Sequence, residues 1–172
     1  DMQFLLHEVN QAVDQLRTMP RFADLDADTC NAVMEEAGKF TSTVTAPLNL
    51  SGDAEGCTLD KTNHSVTTPK GFKAAYAQFC EGGWPSLTCD PDYGGQGLPA
   101  TLGTCVGEML NASNQAWAMY YGLSHGAYEA IHAHGSDAQK QTFLPKLTSG
   151  EWTGTMCLTE PHCGTDLGLM RT

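Results

Sequence analysis

Apolar residues recur at helical spacing over most of the chain, and sharp interruptions divide the stripes. Leu5, Val9, Ala12, Val13 and Leu16 predict an amphipathic helix over about residues 3–17, ending at Met19-Pro20. Asp26 or Asp28 can cap a second helix with the stripe Cys30, Val33, Met34, Ala37, Phe40 and Val44, and Pro47 reads as its stop. From Asn49 to Thr68 the periodicity lapses. Its Ser-Gly-Asp, Glu-Gly-Cys and Lys-Thr-Asn-His runs predict an irregular crossing with room for a short hairpin. Thr68-Pro69 reads as the cap and first residue of a third helix, whose core face is Phe72, Ala75, Tyr76 and Phe79.

Gly82-Gly83-Trp84-Pro85 breaks that helix, and a loop dense in Gly and Pro runs from Asp90 to Pro99. Its glycines could cradle a phosphate, but no strand precedes the loop and no Lys-Ser/Thr follows, so a structural turn is the better reading. Pro99 opens a long helical stretch that continues or breaks near Asn114 and runs to His134. Apolar residues surround most of its circumference, which predicts a central position. Gly135 ends it. Ser136 and Gln139 form a capping box for a last helix packed by Phe143, Leu144 and Leu147.

The period then changes from 3.6 to two. Trp152, Gly154, Met156 and Leu158 alternate with Thr153, Thr155, Cys157 and Thr159, the pattern of a β-strand. The expected fold class is therefore all-α, ending in one or two strand segments of a truncated β domain. The expected division is a helical domain over 1–150 and the first strand and turn of a β domain over 151–172.

Charge narrows the partners. Twenty acidic and nine basic residues in 172 give a net charge of -11, which disfavours nucleic acid and anionic membranes. No apolar run approaches the ~20 residues needed to span a bilayer. Seven cysteines without a CxxC pair, and no leader before the first helix, point to free thiols in a cytoplasmic protein. No metal site is expected: His132 and His134 fall on different sides of a helix, His162 stands near Cys157 and Cys163 without a recognised ligand spacing, and HExxH is absent. Cys157, inside the predicted strand, reads as a buried structural thiol rather than a nucleophile.

A strand end offers alternating N–H and C=O groups to the rim of a flat heterocycle. Thr159 adds a hydroxyl, and beyond Pro161, Gly164 and Thr165 can approach a phosphate oxygen. On chemistry alone, a plain strand and turn explains these residues as well.

Leu158-Thr-Glu-Pro-His-Cys-Gly-Thr-Asp166 resembles the LTEPxxGSD signature of acyl-CoA dehydrogenases, with Thr165 in the usual Ser place. Two further segments, Gly135-Ser-Asp-Ala-Gln-Lys140 through Gly150-Glu-Trp152 and Pro91-x-Tyr93-Gly-Gly-x-Gly97 with Glu108 after it, resemble that family in order and spacing. The Gly-Gly-Trp-Pro run, the 49–68 insert and the ending are similar to a larger bacterial subgroup that includes enzymes oxidising methylthiopropanoyl-CoA.

The resemblance implies an FAD-dependent oxidation of an acyl-CoA to the 2,3-enoyl-CoA, with electron-transfer flavoprotein as acceptor and a homo-oligomeric full-length enzyme. It implies that Met156, Leu158 and Thr159 lie against the flavin, that Gly164 and Thr165 hold the pyrophosphate, and that Ala118, Met119 and Gly122 line the acyl pocket. The family's catalytic glutamate lies in a C-terminal bundle, so no catalytic residue is expected here, and Glu160 reads as structural. The expectation is an N-terminal fragment inactive alone. The alternative is a stand-alone helical interaction module derived from that family.

Overall fold

The computed structural model describes residues 1–172. Its main helices are α1 (Ala12–Arg17), α2 (Ala27–Phe40), α3 (Pro47–Glu55), α4 (Phe72–Glu81), α5 (Ala100–His134) and α6 (Asp137–Thr148). Its sheet is a single antiparallel hairpin, β1 (Thr58–Asp60) with β2 (Ser65–Thr67), in which Leu59 faces Val66.

α5 is the organising element, and it touches three apolar clusters. Leu102 packs with Leu6, Val13, Leu25, Cys30 and Met34. Val106, Leu110, Trp117 and Ala118 join Ala37, Phe72, Ala75, Phe79 and Leu87. Tyr128 closes a third cluster with Cys89, Leu144 and Leu147. Trp117 is the hub of the largest: its ring meets Phe79 edge-on at 5.3 Å and Phe40 at 6.2 Å, and its Nε1 donates to the Phe72 carbonyl at 3.2 Å.

Near Asn114, where the sequence reads as either continuing or breaking, α5 continues through a kink. Asn114 is extended (φ -162°, ψ 87°) and buried. Its Oδ1 accepts from the Trp117 N–H at 3.1 Å, capping the second half of α5, while its Nδ2 donates to the Thr45 carbonyl at 3.2 Å. Thr45 and Ser113 hydroxyls meet at 2.6 Å beside it. Each polar group that the kink buries is thus paired.

Several local expectations need correction. The first helix is two pieces, a π-helical turn at Phe4–Val9 and α1, divided where Gln11 turns left-handed (φ 46°). Only Leu6 and Val13 are buried there, and Leu5 and Val9 face out, so one continuous stripe has no surface to pack on. Pro47 starts α3 instead of stopping α2: a π-helical turn at Thr41–Thr45 carries the chain on, and Pro at the first turn forfeits no hydrogen bond. The irregular stretch therefore begins only after Glu55, and it contains the short hairpin. Thr68-Pro69 does not cap α4, which begins at Phe72 after a turn in which the Phe72 N–H reaches the Pro69 carbonyl. Phe143 is exposed and packs on Trp152 at 5.9 Å instead of entering the core. Asp26 caps α2 through Thr29, and both arms of the Ser136–Gln139 capping box are present.

The predicted strand at 152–158 is not formed. The segment is extended but belongs to no ladder, and the next pairing is one isolated bridge between Glu160 and Cys163. Alternation records which face a sheet would bury, but no neighbouring strand lies beside it. Cys157 is accordingly exposed, not buried.

Candidate functional site

Gly150 ends α6 and the chain turns back across α5. Trp152 settles over α6, its N–H bonded to the Lys146 carbonyl at 3.1 Å and its ring 6.0 Å from the Lys146 ammonium. Gly154 is the crossing point. Its N–H donates to the buried Ser124 hydroxyl at 3.1 Å, and a Cβ there would lie 2.5 Å from Ala127 Cβ and 2.9 Å from the Leu123 carbonyl oxygen. Only glycine lets this backbone lie so close to a helix.

Just beyond that crossing the backbone donors go unused. No amide from Thr155 to Thr159 donates a hydrogen bond within the chain, and the Thr159 hydroxyl is free as well. The amides of Gly164, Thr165 and Asp166 are also unbonded. Thr159 leans on Gly164, where a Cβ would sit 3.7 Å from Thr159 Cγ2. The five residues expected to hold a cofactor therefore fall along one seam, Met156, Leu158 and Thr159 on its first limb and Gly164 and Thr165 on its turn, with Leu158 and Gly164 half-buried and the other three exposed. Met156 is 66% exposed. Free N–H and C=O groups in sequence, a free hydroxyl and two free amides at a turn fit the rim of a flavin and a phosphate oxygen.

The three residues expected at the acyl pocket are not brought together. Ala118 and Gly122 line a groove of about 300 Å³ on the inner side of the α5 kink, opposite Gly103 and Gly107. Met119 is 60% exposed and lies outside that lining. His125 does line it, one turn beyond Gly122, and its Nδ1 is buried without a hydrogen-bond partner. Sequence reasoning missed His125. Its spacing from Ala118 and Gly122 places it on their face, which was the available signal.

The Gly-rich loop is structural. The amides of Gly94, Gly95, Gln96, Gly97 and Leu98 all bond to backbone carbonyls between Ser86 and Pro91, leaving none for a phosphate. Gly95 rests directly on the Cys89 backbone, where no side chain fits. Behind the loop, Asp90 binds His132 (Oδ2 to Nε2, 3.1 Å) and its N–H donates to the Tyr128 hydroxyl at 2.7 Å. Burial pushes the Tyr128 phenol up to about 12, so it stays protonated. Burial also raises the Cys30, Cys80 and Cys105 thiols, which marks them as unreactive.

Glu160 is structural in this geometry. Its carboxylate accepts from the Arg171 and Thr172 amides and the Thr172 hydroxyl, folding the last residues back on the turn. The Thr172 hydroxyl and amide hold it below the usual carboxylate range.

A helical layer built on one kinked helix is thus crossed by a segment whose backbone donors stay unpaired within the chain. The acyl-CoA dehydrogenase N-terminal domain profile matches residues 27–151, and the chain belongs to the acyl-CoA dehydrogenase family. It is similar to 3-methylmercaptopropionyl-CoA dehydrogenase of Ruegeria pomeroyi, 38% identical over 171 residues that cover 99% of this chain and 29% of that protein. Among solved structures it is similar to butyryl-CoA dehydrogenase from Megasphaera elsdenii, with a TM-score of 0.69 at 23% identity over 84% of this chain and 36% of that one. It is also similar to a chain of the electron transferring flavoprotein of Acidaminococcus fermentans, with a TM-score of 0.67 at 21% identity over 83% and 34%. The chain thus spans about 29% of the length of the curated relative. No helix is long and apolar enough to cross a membrane.

Proposed function

We propose that this chain is the N-terminal part of an FAD-dependent acyl-CoA dehydrogenase, with 1–150 as its helical domain and 151–172 as the start of its β domain. The observation that supports the reading is the seam at 155–165, where the amides of 155–159, 164 and 165 bond to nothing in the chain and stand open to a ligand. Met156, Leu158 and Thr159 lie along the flavin ring, with the Thr159 hydroxyl as a donor to it. Gly164 and Thr165 give their amides to the pyrophosphate. Ala118 and Gly122 shape the acyl groove by being small, and Met119 closes on the acyl chain from the neighbouring face. Bound FAD supplies the hydride acceptor for an acyl-CoA that becomes the 2,3-enoyl-CoA. Dehydrogenation also needs a base for the α proton. Glu160 at the seam is held by hydrogen bonds from Arg171 and Thr172 and reads as structural, and the family resemblance puts the base in a C-terminal bundle. The whole protein works as a homo-oligomer in the cytoplasm and passes electrons to an electron-transfer flavoprotein.

The test is anaerobic flavin bleaching. The complete reading frame should carry FAD and bleach on addition of acyl-CoA, whereas residues 1–172 mixed with FAD should not. Bleaching by 1–172 alone would overturn the missing-base reading. A frame that ends at Thr172 and holds no flavin would leave a helical interaction module instead.

A further inference from the structure

We propose that Glu160, His162 and Cys163 form a binding site for a divalent transition-metal ion of the zinc type. The site does not rest on the flavin reading, because it uses neither the free amides of the seam nor the acyl groove.

Three different donor types converge at one turn. His162 Nε2 lies 3.4 Å from Glu160 Oε2 and 3.6 Å from Cys163 Sγ. All three donor atoms fall within 4.8 Å of one another. Zinc bonds run about 2.0–2.2 Å to oxygen, 2.0–2.1 Å to imidazole nitrogen and 2.3 Å to sulfur. A tetrahedron with those bonds has edges of roughly 3.3–3.6 Å. The 3.4 and 3.6 Å separations are already edges of that size, before any ion draws the ligands in. The mixture of carboxylate, imidazole and thiol selects zinc or cobalt over calcium or magnesium, which take oxygen ligands alone.

The turn also holds the donors in place. The Glu160 N–H bonds to the Cys163 carbonyl at 2.8 Å and the Cys163 N–H returns to the Glu160 carbonyl at 3.2 Å, with Pro161 fixing the backbone between them. Hydrogen bonds from Arg171 and Thr172 orient the Glu160 carboxylate from behind, as supporting shells do in metal sites. The spacing Glu-x-His-Cys is more compact than a zinc-finger or HExxH pattern.

Cys163 releases its thiol proton to solvent and binds as thiolate. The imidazole carries its proton on Nδ1 and gives up the 2.9 Å contact between Nε2 and the Leu169 carbonyl. Glu160 binds through Oε2, and water completes four-coordination. One proton leaves per ion bound, so affinity rises with pH.

The experiment titrates Co²⁺ into reduced, chelator-stripped protein and follows the visible and near-ultraviolet spectrum. The expected result is one equivalent with a sulfur-to-cobalt charge-transfer band and intense four-coordinate bands, both displaced by Zn²⁺. Cys163→Ser should abolish the charge-transfer band. His162→Ala should weaken binding by more than the ~10–100-fold that loss of a supporting partner costs. Cys57→Ser and Cys157→Ser remove exposed thiols elsewhere and should change nothing. All four residues lie outside the apolar clusters, so circular dichroism should show each variant folded. Absence of the band, survival of the band in Cys163→Ser, or its loss in Cys157→Ser would each overturn the proposal.

Discussion

The helical layer and the seam after Gly150 are built from similar residues yet reach opposite ends of internal satisfaction. Around Trp117, aromatic rings close on one another at 5–6 Å and the buried polar groups of Asn114, Thr45 and Ser113 pair among themselves. Past Gly154, apolar side chains face water and five consecutive amides bond to nothing in the chain. The difference teaches where function sits. The layer pairs nearly all of its buried polar side chains and keeps one small groove, whereas the seam leaves its backbone amides open.

The largest way to probe this contrast is Trp117→Ala. The ring is 1% exposed and touches Phe40, Tyr76 and Phe79. Its removal should cost about 3–5 kcal/mol, read from urea unfolding at neutral pH. Met156→Ala, at the exposed seam, should change stability by less than about 0.5 kcal/mol. Comparable losses at both sites would erase the distinction.

A smaller effect separates layer from seam by pH. The Asp92 amide, with His132 behind it, holds the Asp90 carboxyl below the usual carboxylate range. A depressed folded pKa means that this stabilisation is complete above the unfolded value of about 3.9 and is lost as pH falls through the lower folded one. Asp90→Asn should therefore cost about 0.5–1.5 kcal/mol at neutral pH and flatten the acid limb of the unfolding midpoint. Glu160→Gln removes another depressed carboxylate, but one on the seam, and should leave that limb nearly unchanged. An acid limb that tracked Glu160 instead would place the seam inside the cooperative core.

Legibility followed the same divide. Signals whose partner lies within a few residues were readable: a cap at Asp26 or Asp28, which the structure resolves as Asp26, the Ser136–Gln139 box, and the break at Gly82-Gly83. Pro47 was misread because proline is equally at home ending one helix and opening the next, and the π-helical turn at Thr41–Thr45 that joins them has no sequence marker. The strand at 152–158 was misread for a deeper reason. Its alternation is real, but a strand is a relation between two segments, and only one is present. The same holds for the groove that Ala118 and Gly122 line: the two share a face, but the kink beside it is tied to Thr45, which lies far away in the chain.

The smallest global effect should come from Gly154→Ala, and it tests the comparison most directly. The new methyl would meet Ala127 Cβ and the Leu123 carbonyl, a fixed side-chain atom and helix backbone, neither able to yield. Relief requires the seam to lift off α5 and the Gly154 N–H to leave Ser124. If the seam is only laid across a self-sufficient layer, the urea midpoint should move by no more than about 0.5 kcal/mol. Amide exchange at position 154 should then rise to the unprotected rate, and Trp152 emission should shift as the ring leaves Phe143. A loss above about 2 kcal/mol would mean that the crossing at Ser124 is part of what holds α5 in place. The seam would then be a structural strap as much as a surface waiting for a ligand.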